Sequence, residues 1–558
     1  MDGALWRALP RGSPPQLRQP PRIAAEAESL LHAIVDLGVD PARDSVRRAD
    51  QIVTGRYEFL NHTEHLPVID WTKPYVNRLW TYNLHYFDYA TDLAWAFRVT
   101  GDRRYVKSFE ALVASWIKAT EDGNGDAWDP YPISVRTVNW LYALLLLQDS
   151  LSPEFREYVN ASVFRQLCFL ERRIERHLLG NHLFRNLKAL VIGSLYFDGR
   201  DAQRWRTAAA RQLWNQTKVQ VSSDGGHFER SPMYHAIVLS DLLEVLHLMR
   251  ARGQAAPPEI EERARRMARA LTLLTRQGKC LRLLNDSAHG IAPSSQYLAR
   301  VAERVVGPPA GSFDHEWSLP ETGYFGYRDA ARRSELVVSC REPSPPYQPG
   351  HAHCDILSYE WDSAGEPVIV DSGLHGYDGD PYREYVRSTR AHNSVVIDGK
   401  NQSEAWATFR FARRATDVHG ASSLREGRYT FQGSYRPYHN GRTLHRRTIT
   451  LERDELSITD VVEDQNQASV QSFLHFHPDF SVSVLDGRAT AAKGSLRLSI
   501  EPFGVDAVAV ARGQLEPKQG WFCEEFGKAV PQDVLVMRIE KNRGAEFGYR
   551  VRRSSGSS

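Results

Sequence analysis

Two imidazoles stand one residue apart in Gly350-His351-Ala352-His353-Cys354-Asp355-Ile356-Leu357-Ser358. Read as a β-strand, in which residues two apart share a face, this stretch aims His351 and His353 together and turns Cys354 away as a small buried residue. Paired imidazoles on one face suit either a metal site or a metal ligand beside an acid–base group. Two further stretches fit a metal: Asp371 in Val370-Asp371-Ser372-Gly373, and His392 in Ala391-His392-Asn393. Two imidazoles and a carboxylate with a fourth position to spare form a zinc ligand set, here His353, Asp371 and His392. The separations are long-range and carry little specificity alone.

Four other stretches hold groups that packing alone does not call for. In Gly180-Asn181-His182-Leu183-Phe184-Arg185-Asn186, Gly180 suits a left-handed helix end and Asn181 a cap of the next helix. The competing reading is that a helix start presents Asn181 and His182 to an anionic ligand. In Asp224-Gly225-Gly226-His227-Phe228-Glu229-Arg230-Ser231-Pro232-Met233-Tyr234-His235, a glycine pair and a polar cluster lead into a helix with Pro232 in its first turn. Tyr234 there is either an amphipathic aromatic with a satisfied hydroxyl or a reactive phenol at a loop mouth. The aromatic stretches Trp80 to Tyr89 and Trp128 to Arg136 either line a carbohydrate cleft or pack between helices.

The elements that must hold these groups follow from the pattern of the whole chain. At 558 residues the chain exceeds one core, and two to four domains are expected. Apolar content of 42%, charged content of 25% and a net charge of +2 are ordinary for a globular protein and call for neither nucleic acid nor an anionic membrane. Five scattered cysteines, Cys168, Cys280, Cys340, Cys354 and Cys523, make no disulfide framework. No apolar run is long enough to span a membrane, and the first residues lack a signal-peptide core, so the expected location is cytoplasmic, or periplasmic or secreted if a leader was removed.

Residues 1–22, rich in proline and arginine, read as disordered. From there to residue 306 apolar residues at helical spacing mark helices over His85–Val99, Tyr105–Ile117, Val135–Gln148, Phe155–His177, Leu183–Tyr196, Ala202–Val219, Tyr234–Met249 and Ile260–Arg276. Breakers recur about every 50 residues, which describes stacked helical hairpins, closed into a toroid or left as an open binding solenoid. A Gly/Pro-rich linker, 307–313, precedes short strands: Ser334–Ser339, Ile356–Trp361, Pro367–Val370, Ser394–Asp398, Thr448–Leu451, Leu456–Thr459, Phe480–Val484, Leu496–Ile500, Val505–Ala511 and Val534–Ile539. Residues 314–552 are thus expected to form an antiparallel β-sandwich, with 553–558 as a flexible tail. The fold class is α+β multidomain, an (α/α) toroid followed by the sandwich.

The Asn-His helix start, the Glu-Arg-Ser-Pro-Met-Tyr-His stretch, the His-Ala-His-Cys-Asp-Ile-Leu-Ser stretch and Arg390 to Gly399 together resemble the heparinase II/III-type polysaccharide lyases, in the right order from about Trp71 to beyond Gly399. The resemblance implies a toroid and antiparallel sheets with a catalytic cleft between the domains. It implies Asn181, His182, Tyr234 and His351 as catalytic positions and His353, Asp371 and His392 as ligands of a structural Zn2+. Tyr82, His85, Trp128, Arg136, Arg230 and Arg390 are the candidate contacts to an anionic, uronic-acid-containing polysaccharide, a glycosaminoglycan such as heparin or heparan sulfate foremost. Such a lyase works by β-elimination: a group binds the uronate carboxylate, a base takes the C5 proton and an acid protonates the leaving O4. The chain departs from the commoner pattern at Ala352 and Cys354, neither change removing a reactive group, and in lacking a signal peptide. The alternatives are a non-catalytic carbohydrate-binding or exopolysaccharide-assembly protein on the same scaffold, and a toroid-type hydrolase, for which no carboxylate pair stands out among Glu229, Asp224 and Asp129.

Overall fold

A computed structural model describes residues 14–16, 20–309, 311, 313, 315–347, 349–464, 467–542 and 544–553. Most of the expected N-terminal segment (1–13 and 17–19), most of the expected tail (554–558) and positions 310 and 312 of the linker lie outside the described residues. The fold is α+β: an N-terminal (α/α) toroid of helical hairpins followed by a C-terminal antiparallel β-sandwich. Two compact units divide the described chain, one holding residues up to Val219 with Ser240–Glu261, the other Gln220–Leu239 with Glu262 onward.

In the first unit the hairpins pair Asp88–Thr100 with Arg103–Ala119, and Pro130–Leu146 with Pro153–Glu171. Local chemistry starts and stops them. Asp102 and Ser152 accept hydrogen bonds from backbone N–H groups in the first turns that follow, and Gly101, at φ 74°, closes the preceding helix in the left-handed conformation. Arg103–Ala119 buries one face, whereas Pro130–Leu146 and Gly180–Tyr196 are buried nearly all round. One-sided burial marks an outer layer and all-round burial an inner one.

Several boundaries differ from the sequence reading. The helix expected over His85–Val99 is two, Arg78–Tyr86 and Asp88–Thr100, broken at Phe87 with φ 55°. Phe87 accepts that backbone because its ring packs on Trp71, Tyr89 and Trp140 at centroid distances of 5.3, 4.9 and 5.1 Å. Phe155–His177 stops at Glu171, and Ala202–Val219 is interrupted by a π-turn at Trp205–Ala209. The helices Glu28–Leu37, Ser45–Val53, Ser295–Val306 and Pro381–Arg387 were not foreseen.

The second unit carries three antiparallel sheets of four or more strands among the described residues. Five strands run as a meander from His315–Leu319 to Glu366–Ile369, eight from Thr416–Arg425 to Ser481–Leu485 form the largest sheet, and four include Val470–His475 and Asp533–Ile539. Glu455–Glu463 shows why they pack face to face: Leu456, Ile458, Asp460 and Val462 alternate inward. One core joins the sheets, with Phe325 and Leu336 from the first, Phe431, Ile449 and Ile458 from the second, and Leu474 and Leu535 from the third. Ala270, Leu273, Leu274 and Leu284 pack against Trp317, Leu319 and Tyr324, which explains why the chain from Glu262 onward belongs with the sheets.

The strand expected over Ile356–Trp361 begins only at Tyr359. Leu357 sits at φ 64°, and Ser358 N–H donates to Asp355 O at 2.9 Å, closing a turn. The stretch from Gly350 to Ser358 is therefore irregular, and strand alternation does not aim its histidines.

Truncating Ile458, fully buried in the shared core, to alanine is expected to cost about 2–5 kcal/mol of unfolding free energy, read by denaturant titration.

Candidate functional site

The singled-out residues fall into two groups, one in each unit. In the first, Gly180 and Asn181 lie inside the helix Gly180–Tyr196, whose N-cap is Leu179 at φ 56° with no side-chain cap. Asn181 is thus not the helix cap that one reading allowed. Its amide instead hydrogen-bonds the Tyr131 hydroxyl, and burial raises the Tyr131 phenol. The His182 ring lies 4.5 Å from that of Tyr131, with Nδ1 3.2 Å from Glu175 Oε1. Asn186 holds Glu175 in turn, donating to its Oε2 at 3.1 Å and accepting from its N–H at 2.8 Å. Nearby cations are neutralised: Arg185 pairs with Asp241, and Lys188 with Asp241 and Glu244, each at 2.7 Å.

Tyr82 is half-buried and donates to Asp129 Oδ2 at 2.5 Å. Three other expected sugar contacts of this unit are corrected by their burial. His85 accepts from Trp116 Nε1 at 3.1 Å, and burial with Arg136 pushes its imidazole down to about 3. Trp128 donates to Thr120 O at 2.8 Å within a cluster of rings. Arg136, 0% exposed, donates to Gln166 Oε1, His85 O and Ala127 O and lies 3.9 Å from the Trp116 ring centroid. All three are built into the packing of the helices.

The second group centres on a residue the sequence reading passed over. Asp286 is fully buried and accepts from His351 Nδ1 and His353 Nε2, both at 2.8 Å, and from both terminal nitrogens of Arg383. Its own N–H donates to His351 O at 3.0 Å, and the neighbouring Asn285 Oδ1 accepts from His353 N–H at 2.9 Å. Burial alone would raise the Asp286 carboxyl, but Arg383, His351 and His353 hold it well below the usual carboxylate range. An ionised carboxylate only accepts, so the protons sit on His351 Nδ1 and His353 Nε2. When neutral, each ring then keeps a lone pair, on His351 Nε2 and on His353 Nδ1.

Those two lone pairs have different surroundings. His353 is fully buried, burial pushes its imidazole down to about 3, and Nδ1 has no hydrogen-bond partner. Ligand atoms of His353, Asp371 and His392 all lie within 4.8 Å of one another, making a possible metal-binding cluster. His392 Nδ1 is 2.7 Å from Asp371 Oδ2, and its Nε2 is likewise buried without a partner. Neutral imidazole, carboxylate and orphaned nitrogens suit a divalent cation. His351 is 17% exposed at its side chain, and its ring stacks on Tyr234 with centroids 4.0 Å apart and planes at 30°. The Tyr234 hydroxyl lies 2.7 Å from that of Tyr377, whose phenol burial, Asp286 and Tyr234 raise well above its ordinary value.

Of the remaining candidates, Arg230 is half-buried, with its guanidinium on Glu342 O, and burial with Arg341 pushes it down to about 10. Arg390 is half-buried, and its carbonyl accepts from Gln519 at 3.0 Å. Asp286, Arg383 and Tyr377 were missed. The available signal was Asn285-Asp286, a polar pair directly after Leu283 and Leu284, and Asp380-Pro381, a helix start that presents Arg383.

The comparisons with known proteins agree with this architecture. The heparinase II/III N-terminus model matches residues 39–301 and the heparinase II/III-like C-terminal model matches 314–550. The chain belongs to the heparinase II/III family. It is 23% identical over 349 residues to a heparin-sulfate lyase of Pedobacter heparinus, covering 57% of this chain and 52% of that one. It is 22% identical over 427 residues to a heparin-sulfate lyase of Bacteroides stercoris, covering 64% and 60%. The matches thus span about half to three fifths of those relatives' own length. A crystal structure of heparinase III superposes with a TM-score of 0.72 at 17% identity, over 95% of this chain and 90% of that one.

Replacing Asp286 with asparagine would leave Arg383 buried without its counter-charge, at an expected cost of about 3–5 kcal/mol near neutral pH. The folded carboxyl titrates well below its unfolded value of about 3.9, so its stabilisation is complete above that value and is lost progressively as the pH falls from there through the lower folded value. Denaturant titrations of wild type and Asp286→Asn should therefore differ most near neutral pH and converge on acidification below about pH 4.

Proposed function

We propose that the protein is a polysaccharide lyase that cleaves a uronic-acid-containing glycosaminoglycan, of the heparin or heparan sulfate type, by β-elimination to leave an unsaturated uronate end. The observation that carries this reading is the stacked Tyr234–His351 pair, with His351 held through Nδ1 by Asp286 so that Nε2 of the neutral ring is the atom left to take a proton. A proton acceptor and a phenol in ring contact are what abstraction at C5 and protonation at O4 require. The names of the curated relatives, both heparin-sulfate lyases, support the substrate class.

In this mechanism Asn181 and His182 hold the uronate carboxylate and oppose the charge that builds as the C5 proton leaves. His182, whose Nδ1 is held by Glu175, is placed for that role beside Tyr131. Where C5–H and O4 lie on opposite faces, His351 Nε2 takes the proton and the Tyr234 hydroxyl gives one to O4. Where they share a face, Tyr234 does both. The C5–H bond breaks, a C4–C5 double bond forms and the C4–O4 bond breaks, with no water consumed. Tyr82, Arg230 and Arg390 remain as proposed substrate contacts. We further propose Zn2+ at His353, Asp371 and His392, where it would supply a structural cross-link beneath His351. The modules proposed are the toroid at 23–306 and the sandwich at 314–552, supported by family models that end at 301 and begin at 314. None of the described helices is long and apolar enough to cross a membrane.

Ultraviolet absorbance of unsaturated uronate should rise with heparan sulfate and wild-type protein. Tyr234→Phe and His351→Ala should each lower kcat by about 10²–10⁴-fold. Turnover left intact in either variant would remove that residue from the mechanism.

Elemental analysis of the purified protein should find about one zinc per chain, and His392→Ala should lose it. Chelation should lower the melting temperature of wild type and leave that of His392→Ala unmoved.

A further inference from the structure

A short hairpin in the second unit is built for binding rather than for packing. Ala405–Trp406 pairs with Arg410–Phe411 in the register Trp406↔Arg410, so these two side chains stand opposite one another on the same face. Both are exposed, Trp406 at 53%. Phe409, also exposed, places its ring 6.2 Å from that of His351 and 5.2 Å from that of Tyr377. The loop is nonetheless fixed. Two arginines buried from solvent, Arg383 and Arg387, hold its main chain: Arg383 Nε donates to Thr408 O at 3.0 Å, and the terminal nitrogens of Arg387 donate to Ala407 O at 2.6 Å and Arg410 O at 3.0 Å. Arg383 is the same residue that grips Asp286.

Exposed tryptophan and phenylalanine on a pinned loop point to a ligand with an apolar face. The cation beside them adds a sign. Arg413, in the next turn of chain, is neutralised by Glu404 at 2.8 Å, whereas Arg410 has no acidic partner among the described residues. A flat apolar ring face with a negative substituent at its edge describes an anionic pyranose. We propose that the hairpin 405–411 is a sugar-binding element that stacks a charged pyranose of the substrate chain on Trp406 and Phe409 and pairs its anionic group with Arg410. The inference rests on the lyase reading for the identity of its occupant.

The test measures two things on the full-length protein: initial rates by uronate absorbance, and equilibrium binding of heparan sulfate oligosaccharides in a Tyr234→Phe background. Trp406→Ala and Arg410→Ala should each raise KM about tenfold and weaken oligosaccharide binding by the same factor, with kcat within about twofold. Arg410→Ala should also flatten the dependence of KM on salt. Leu485→Ala, which removes an apolar side chain 77% exposed at a different turn, should change none of these, and melting temperatures should be unmoved throughout. An active wild type whose KM and oligosaccharide affinity are untouched by both hairpin variants overturns the hairpin assignment and leaves the lyase standing. An inactive wild type whose oligosaccharide binding depends on Trp406 overturns the lyase and keeps the hairpin. A protein that neither cuts nor binds overturns both.

Discussion

The Asp286 carboxylate accepts from two histidines and an arginine, and the arrangement of the second unit's polar centre depends on its staying ionised. A neutral carboxylic acid would have to donate one proton, and one imidazole would then change tautomer. With the charge in place, His351 turns one nitrogen outward and His353 turns one toward Asp371 and His392. A single buried negative charge thus assigns two chemically identical rings to different work. Arg383 makes that charge tolerable in a place where burial alone would neutralise it.

The folds around this centre supply rigidity by different means in each unit. In the helical unit, the group near Asn181 is set by helix termini and by side chains that hold one another: Glu175 with His182 and Asn186, and Arg185 with Asp241. In the sheet-bearing unit, the site segments are loops, and long-range side-chain bonds to Asn285, Asp286 and Arg383 do the ordering that a ladder of backbone bonds would do in a strand. Beneath them lies a core drawn from three sheets.

Periodic features of the chain were legible from its residues alone. Helical spacing located the hairpins, alternation located most of the sandwich strands, and residue type brought out His353, Asp371 and His392, whose ligand atoms do converge. What could not be read was set by partners far away in sequence. The strand assigned to His351 and His353 is a loop; the two rings meet because both reach Asp286, 65 and 67 residues upstream. Aromatic-rich stretches carried the opposite ambiguity. Tyr82 stays half-buried, while His85, Trp128 and Arg136 from equally polar-looking stretches are buried, and only the packing of neighbouring helices distinguishes them. Phe87 shows the same limit for backbone: nothing in its local sequence forces a left-handed residue, but three surrounding rings do.

Arg383 and Arg387 grip the hairpin by its carbonyl oxygens, and the Phe409 ring lies 5.5 Å from the Arg383 guanidinium. The anchoring bonds thus go to main-chain atoms and do not depend on what positions 406 and 410 display. Those two positions can vary while the proposed proton-transfer pair, fastened through Asp286 to the other side of Arg383, keeps its geometry. Randomising positions 406 and 410 gives a starting library for altering the proposed sugar contact.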